Sequence, residues 1–223
     1  MKILVVSDHE EPALHEFFDE ERWRDIEFVI SCGDLPPEFL SFLVTVIRGP
    51  LFYVRGNHDV IYSQRPPEGC TSIEERLINY KGLRIIGFGG SMFYGGNDLQ
   101  YTERQMQWKI IKTLPSVWKN NGVDILVTHA PPSMCIGDSK GKCKSHVELG
   151  EKCPENEFGV CKEPKDLPHK GFESFRRFDL KYKPKFHLHG HTHLGYINRR
   201  KDRVKTLGDT KVVDCYGYYI LEV

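Results

Sequence analysis

The 223-residue chain carries 31 basic and 31 acidic side chains, so net charge draws it neither to nucleic acid nor to an anionic membrane. Apolar residues make up 39% of it, enough for a real core, yet no apolar run approaches the roughly 18 residues of a membrane span. Its size and lack of a linker predict one domain over residues 1–223. A strand beginning at Lys2 leaves no leader to read, which makes the cytoplasm the expected location.

Lys2 to Ser7 is a nearly continuous apolar run, the pattern of a strand covered on both faces. Glu11 to Arg22 reads as a helix, with Pro12 in its first turn and Leu14, Phe17 and Phe18 on its apolar side. Glu27 to Ser31 is a second strand. Pro36-Pro37 opens a helix to Ile47, with Phe39, Leu40, Phe42, Leu43 and Val46 facing the core, and Gly49-Pro50 ends it. Leu51 to Val54 follows as a third strand, so the opening is βαβαβ and its sheet is expected to be parallel.

Ile73 to Tyr80 and Leu83 to Phe88 read as strands around a Lys81-Gly82 turn. Gly89-Gly90 and Gly95-Gly96 then frame an aromatic loop, Met92-Phe93-Tyr94. Thr102 to Trp118 is a long helix, with Met106, Trp108, Ile110, Ile111 and Leu114 as its expected apolar contacts. Asp124 to Thr128 is another strand, halted by Ala130-Pro131-Pro132.

Periodicity vanishes from Ser133 to about Pro168, an insertion containing Cys135, Cys143, Cys153 and Cys161. So long a segment with so few apolar residues cannot offset its ordering entropy by burial. Four thiolates on a structural zinc, two disulfides, or free thiols in a lid each remain open. The cysteine spacings are wide for zinc, and a reducing cytoplasm disfavours disulfides. Pro131-Pro132 directs this segment away after His129, which predicts an ordered flap that limits substrate size. Gly171 to Phe178 is a short helix and Lys185 to His189 a strand. Leu194 to Ile197, Val204 to Leu207, Val212 to Cys215 and Tyr218 to Val223 read as a closing meander. The expected architecture is an α/β front and a β-rich back, packed as two sheets with helices outside.

Five apolar runs end in oxygen or imidazole side chains: Asp8-His9-Glu10, Gly33-Asp34, Gly56-Asn57-His58-Asp59, Thr128-His129 and Gly190-His191-Thr192-His193. Parallel strands with crossover helices bring such ends into one crevice. Each piece has an ordinary role too. Asp8 and Asp34 can cap the helices that follow, Asp59 can close a turn, and His129 can serve as a structural hydrogen-bonder. The alternating His187, His189, His191 and His193 are harder to dismiss. Gly190 begins a turn, which assigns His191 and His193 to metal and leaves His187 and His189 to the sheet or to support of the ligands.

Asn57 offers an uncharged ligand oxygen, and His58 carries an imidazole that can protonate a leaving alkoxide. Donors of oxygen and imidazole with no thiolate point to two divalent ions sharing one Asp, a pair suited to phosphoester chemistry. The patterns of a serine-hydrolase elbow, a P-loop and a dinucleotide fold are all missing.

As an ordered set these residues closely resemble the calcineurin-like metallophosphoesterase superfamily, whose pattern runs D-x-H, G-D, G-N-H-D or G-N-H-E, a later H, and G-H-x-H. The resemblance spans about residues 2 to 223. It implies a four-layer αββα sandwich of two mixed β-sheets flanked by helices. It also implies Asp34 as the bridging ligand, Asp8 and His193 on one metal, and Asn57, His129 and His191 on the other. His58 would contact the phosphate and assist the leaving group, with Asp59 orienting it. Thr128-His129-Ala130-Pro131-Pro132, Gly171-Phe172 and Lys183-Pro184-Lys185 resemble a small cytoplasmic branch acting on phosphodiesters. A phosphomonoesterase, or a scaffold that keeps the fold without catalysis, is the alternative.

One position departs from the pattern. Glu10 stands where the D-x-H imidazole is expected, and the reading favoured here lets its carboxylate ligate in place of the imidazole, giving a harder and more anionic first site. Mn²⁺ heads the expected metals, ahead of Fe, Zn and Ni. The expected partner is a small phosphoester, with no membrane and no nucleic acid, the basic patch at Arg199, Arg200, Lys201, Arg203 and Lys205 serving to solvate a turn. Oligomeric state is left open.

Overall fold

A computed structural model describes residues 1–96, 98–133, 171–193 and 203–223. The first half runs β1 (Lys2–Ser7), α1 (Glu20–Trp23), β2 (Ile26–Ser31), α2 (Pro37–Val46), β3 (Leu51–Tyr53), β4 (Cys70–Ser72), β5 (Leu77–Tyr80) and β6 (Leu83–Phe88). The short pair β7 (Ser91–Met92) and β8 (Gln100–Tyr101) precedes α3 (Glu103–Lys119) and β9 (Ile125–Thr128). After the insertion come α4 (Glu173–Tyr182), β10 (Phe186–His189), β11 (Val204–Leu207), β12 (Thr210–Asp214) and β13 (Gly217–Glu222).

Two mixed sheets result. One has the order β13-β1-β2-β3-β4 and the other β11-β12-β10-β9-β6-β5. In the first, β1 to β4 are mutually parallel and β13 closes the edge antiparallel to β1. In the second, β12, β10, β9 and β6 are parallel, with β11 and β5 antiparallel at the two edges.

Successive side chains on a strand point to opposite faces, so each strand contributes to two cores. Ile3 and Val5 of β1, Phe28 and Ile30 of β2, and Ile125 and Val127 of β9 meet between the sheets. Leu4 and Val6 face outward onto Phe39, Leu40 and Leu43 of α2. On the other side Ile86 and Leu126 pack against Met106 and Ile110 of α3 and Phe175 and Phe178 of α4. The fold is therefore a four-layer αββα sandwich. Truncating Phe28, wholly buried between the sheets, is expected to cost about 3–5 kcal/mol.

Three sequence expectations need correction. The helix expected over Glu11 to Arg22 is a 3₁₀ turn at Pro12–Leu14 followed by α1. Asp19 restarts the chain by capping Glu21 N–H at 3.1 Å; Leu14 and Trp23 are buried in the core and Phe18 packs partly against it, while Phe17 is left 73% exposed. The closing meander is not formed as one sheet, because β13 leaves its neighbours to pair with β1 while β11 and β12 stay in the second sheet. On α3 the buried stripe is Met106, Ile110, Thr113 and Val117, which turns Trp108 and Ile111 to solvent.

The insertion with Cys135, Cys143, Cys153 and Cys161 lies outside the described residues, as does Leu194 to Ile197. Among the described residues no helix is long and apolar enough to cross a membrane.

Candidate metal centre

The candidate ligands leave the C-terminal ends of parallel strands in both sheets: Asp8 after β1, Asp34 after β2, Asn57 after β3, His129 after β9, and His191 and His193 after β10. Getting their side chains into one crevice bends the backbone sharply. Asp8 (φ 63°), Asp34 (φ 56°), His191 (φ 68°) and His193 (φ 42°) all occupy the left-handed region, at a cost of about 1–3 kcal/mol each for residues other than glycine. Two glycines permit the close approach. A Cβ on Gly56 would lie 1.9 Å from Asp34 Oδ1, and one on Gly190 would lie 1.9 Å from Ser7 Oγ and 2.3 Å from Asp8 Oδ2.

The ligand turns brace one another through their backbones. Asp34 Oδ1 accepts from His58 N–H at 2.8 Å. Asp8 accepts His191 N–H on both oxygens at 3.0 Å, and Asp8 N–H donates to Gly33 O at 3.1 Å. Asp59 Oδ2 takes the N–H groups of Gly56 at 2.7 Å and Asp34 at 2.8 Å. Burial pushes the Asp59 carboxyl up to about 6, against those two bonds. Among the described residues no hydrogen bond joins Asp59 to the ring of His58; it holds the turn that presents that ring. His58 itself is exposed at the rim.

Asp34, His129 and His191 bring ligand atoms within 4.8 Å of one another. His129 is wholly buried, and its Nδ1–H donates to the Cys32 carbonyl at 2.8 Å. Its Nε2 therefore faces inward, 3.1 Å from Asn57 Oδ1 and 3.2 Å from Asp34 Oδ2. Two oxygen acceptors around one imidazole nitrogen require a positive centre between them. A proton serves: burial opposes it, but Asp34 and Asp8 raise His129 to about 9. Asp34 is likewise held at about 2, the facing His129 outweighing burial. A divalent cation fits the same place, and a histidine whose other nitrogen is tied to a backbone carbonyl is the usual arrangement of a metal ligand.

The other half is more open. His193 Nε2 lies 3.4 Å from Asp8 Oδ1, with the Asp8 side chain fully buried and that of His193 56% exposed. Burial disfavours the Asp8 carboxylate, yet its bond to His193 lowers its pKa, and the same bond raises that of His193. Glu10 is exposed beside Asp8 in a cleft of about 510 Å³ that also includes His9, Pro12, His15, Glu16, Asp34 and Leu35. Its carboxylate makes no hydrogen bond or ion pair among the described residues. His9 turns away to stack on Tyr216, 5.9 Å between centroids and 9° between planes.

His187 and His189 lie within β10, away from the ligand turn. His187 bonds Asp179 Oδ2 at 2.6 Å and Thr128 Oγ1 at 2.8 Å, all buried, and His189 Nδ1 bonds Gly190 O at 2.9 Å. One neighbour of the site has no role in the sequence reading. Tyr94, from the aromatic loop, accepts a hydrogen bond from Asn57 Nδ2 at 3.0 Å. Its framing glycines were the one local signal that this loop is built for a purpose.

The family model for calcineurin-like phosphoesterases matches residues 1–195, a stretch that includes every candidate ligand. This chain belongs to the calcineurin-like phosphoesterase family. No curated protein sequence matches this phosphoesterase. Among solved structures, TT1561 of Thermus thermophilus is similar at 17% identity and TM-score 0.59, covering 99% of this chain and 93% of that one. A second crystal structure reaches TM-score 0.62 at 14% identity, with 99% and 94% covered. A single mutant of Vps29 from Entamoeba histolytica gives 0.44 at 15% identity, with 100% and 86% covered. At these identities the first two show the shared fold of the phosphoesterase and nothing finer.

Proposed function

We propose that this phosphoesterase hydrolyses a small phosphodiester with two divalent ions, Mn²⁺ foremost. Asp34, Asn57, His129 and His191 would hold one ion. Asp34, Asp8 and His193 would hold the other, with Glu10 positioned to complete it. Once bound, such ions lower the pKa of a water and neutralise charge gathering on the phosphoryl oxygens. The observation that carries the reading is the convergence of Asp34, His129 and His191 within 4.8 Å at the ends of strands from both sheets.

The chain's own groups do the rest. His58 stands at the rim with its backbone N–H on Asp34, where its ring can hand a proton to the leaving alkoxide and recover one from solvent. Asp59 holds the turn that sets the height of that ring. The cleft beside Asp8 has the volume of a small-ligand site. Among the described residues its charged walls are Asp8, Glu10, Glu16 and Asp34, with His9 and His15 beside them. A monoester brings one more negative charge than a diester, and the carboxylates of these walls repel it, which favours the diester. The cytoplasm is the location this reading assumes.

The test is hydrolysis by metal-depleted protein reloaded with Mn²⁺, comparing bis-p-nitrophenyl phosphate with p-nitrophenyl phosphate. Faster turnover of the diester is expected. Activity on the monoester alone would replace this reading with a phosphatase. Two bound ions with no hydrolysis of either compound would favour a non-catalytic scaffold.

A further inference from the structure

Asn57 is fully buried, and an amide that gives its oxygen to a cation still carries an NH₂ group that must find an acceptor. That acceptor is the Tyr94 hydroxyl, 3.0 Å from Nδ2. With Nδ2 engaged there, Oδ1 faces His129 Nε2 at 3.1 Å, the direction of the ligand cluster. If the amide turned over, its NH₂ would face the cation and its oxygen the tyrosine. In the ligating orientation the hydroxyl accepts from Nδ2 and so holds the amide by its far end.

The loop that delivers Tyr94 is itself fixed. Gln100 Oε1 gathers the backbone N–H groups of Tyr94, Gly95 and Gly96 at 3.1, 3.0 and 3.2 Å. The base of the loop is tied to the Asn57 segment, since Gly90 N–H donates to Arg55 O at 2.8 Å. Arg55 is in turn clamped by Glu74, which takes its backbone N–H at 2.7 Å and its guanidinium at 2.9 and 2.7 Å. A Cβ on Gly89 would come within 2.5 Å of Glu74 Oε1 and 2.6 Å of Arg55 O, so the approach of loop to strand end depends on a glycine. Loop and ligand segment are thus tied together, with Tyr94 at the loop's tip.

We infer that Tyr94 is a positioning residue for metal binding, locking the Asn57 amide with its oxygen toward the ion shared with His129 and His191. The inference rests on the dinuclear reading above, but it concerns metal affinity and not the reaction.

The experiment is calorimetric titration of Mn²⁺ into metal-depleted protein, for wild type, Tyr94→Phe, Asn57→Ala and the double variant, with the melting temperature of each apo form. Partners that orient a ligand typically contribute about 10–100-fold in affinity. Tyr94→Phe is expected to weaken one of two ions by at least about tenfold, leaving the other ion and the apo melting temperature unchanged. In the Asn57→Ala background the same substitution should change nothing, because its only route is through that amide. Equal weakening of both ions, or an undiminished effect without Asn57, would mean that Tyr94 acts through general packing and would overturn the inference. A wild type that takes up two ions with Tyr94→Phe indifferent sinks this inference alone. A wild type that takes up none sinks the dinuclear reading with it.

Discussion

On one side of Asp34, Asn57 and His129 are fully buried and His191 nearly so, and the second polar atoms of two of them are fixed by Tyr94 and the Cys32 carbonyl. On the other side Asp8 is buried while its partner His193 is more than half exposed, and Glu10 lies open in the cleft. Both halves use the same device of a left-handed turn at a strand end, so local backbone strain does not distinguish them. Preorganisation does. A ligand already held in its binding orientation loses little freedom when an ion arrives, whereas a half-exposed histidine has more to lose. On the dinuclear reading proposed above, the sealed half would keep its ion and the open half would exchange it.

On the proposed reading Asp34 serves both halves, and its removal is the most damaging change expected. Asp34→Ala should lose both metal equivalents, and with them several kcal/mol of transition-state stabilisation, a fall in turnover of more than about 10³-fold. Retention of one tightly bound ion would show that the halves are independent after all. Next in size is His58→Ala, expected to cut turnover about 10²–10³-fold with both ions still present. Loss of metal in that variant would move His58 into the ligand set.

The asymmetry itself is read by graded chelation followed by metal analysis. One ion should leave at low chelator and the second only at far higher levels. His193→Ala should lower the affinity of the first by about 10–100-fold without disturbing the second. Simultaneous release of both would erase the distinction drawn above.

The smallest effect is a control remote from the crevice. Arg84 forks onto Asp124 at 2.8 and 3.0 Å, and the Arg84 bond outweighs burial in lowering the Asp124 carboxyl. A depressed carboxyl stabilises the fold above its unfolded value near ~3.9 and loses that contribution as pH falls through its folded value. Asp124→Asn should therefore lower the melting temperature by up to about 3 °C at pH 7. The gap should close towards pH 3, and metal stoichiometry should stay at the wild-type value. A gap that widened on acidification would invert the assignment.

Where chemistry is local in the chain, the sequence already displayed it. β1, β2, β3 and β9 were readable because buried parallel strands leave unbroken apolar runs, and the residues that follow them were readable as candidate ligands because parallel strand ends converge on one crevice. The turn at Gly190 separated His191 and His193 from His187 and His189, as the structure places them. What remained hidden depends on distant partners. Nothing near Tyr94 announces Asn57, which lies 37 positions earlier. Nor does Gly217–Glu222 announce that it joins the first strand and not its neighbours in sequence. The exposed face of α3 was misread for a related reason: Trp108 and Ile111 are apolar, but the stripe from Met106 to Val117 has the geometry that meets the sheet.

The bond from His191 N–H to Asp8 spans 183 positions. During synthesis Asp8 is made well before the histidine whose N–H it accepts. Asp34 and Asn57 must likewise wait for His129. A growing chain thus offers passing cations only scattered oxygen and imidazole donors, which by themselves favour whichever metal sits highest in intrinsic affinity. The crevice takes shape once the two sheets have met, so on the proposed reading the ion is chosen under the geometry of both sheets together.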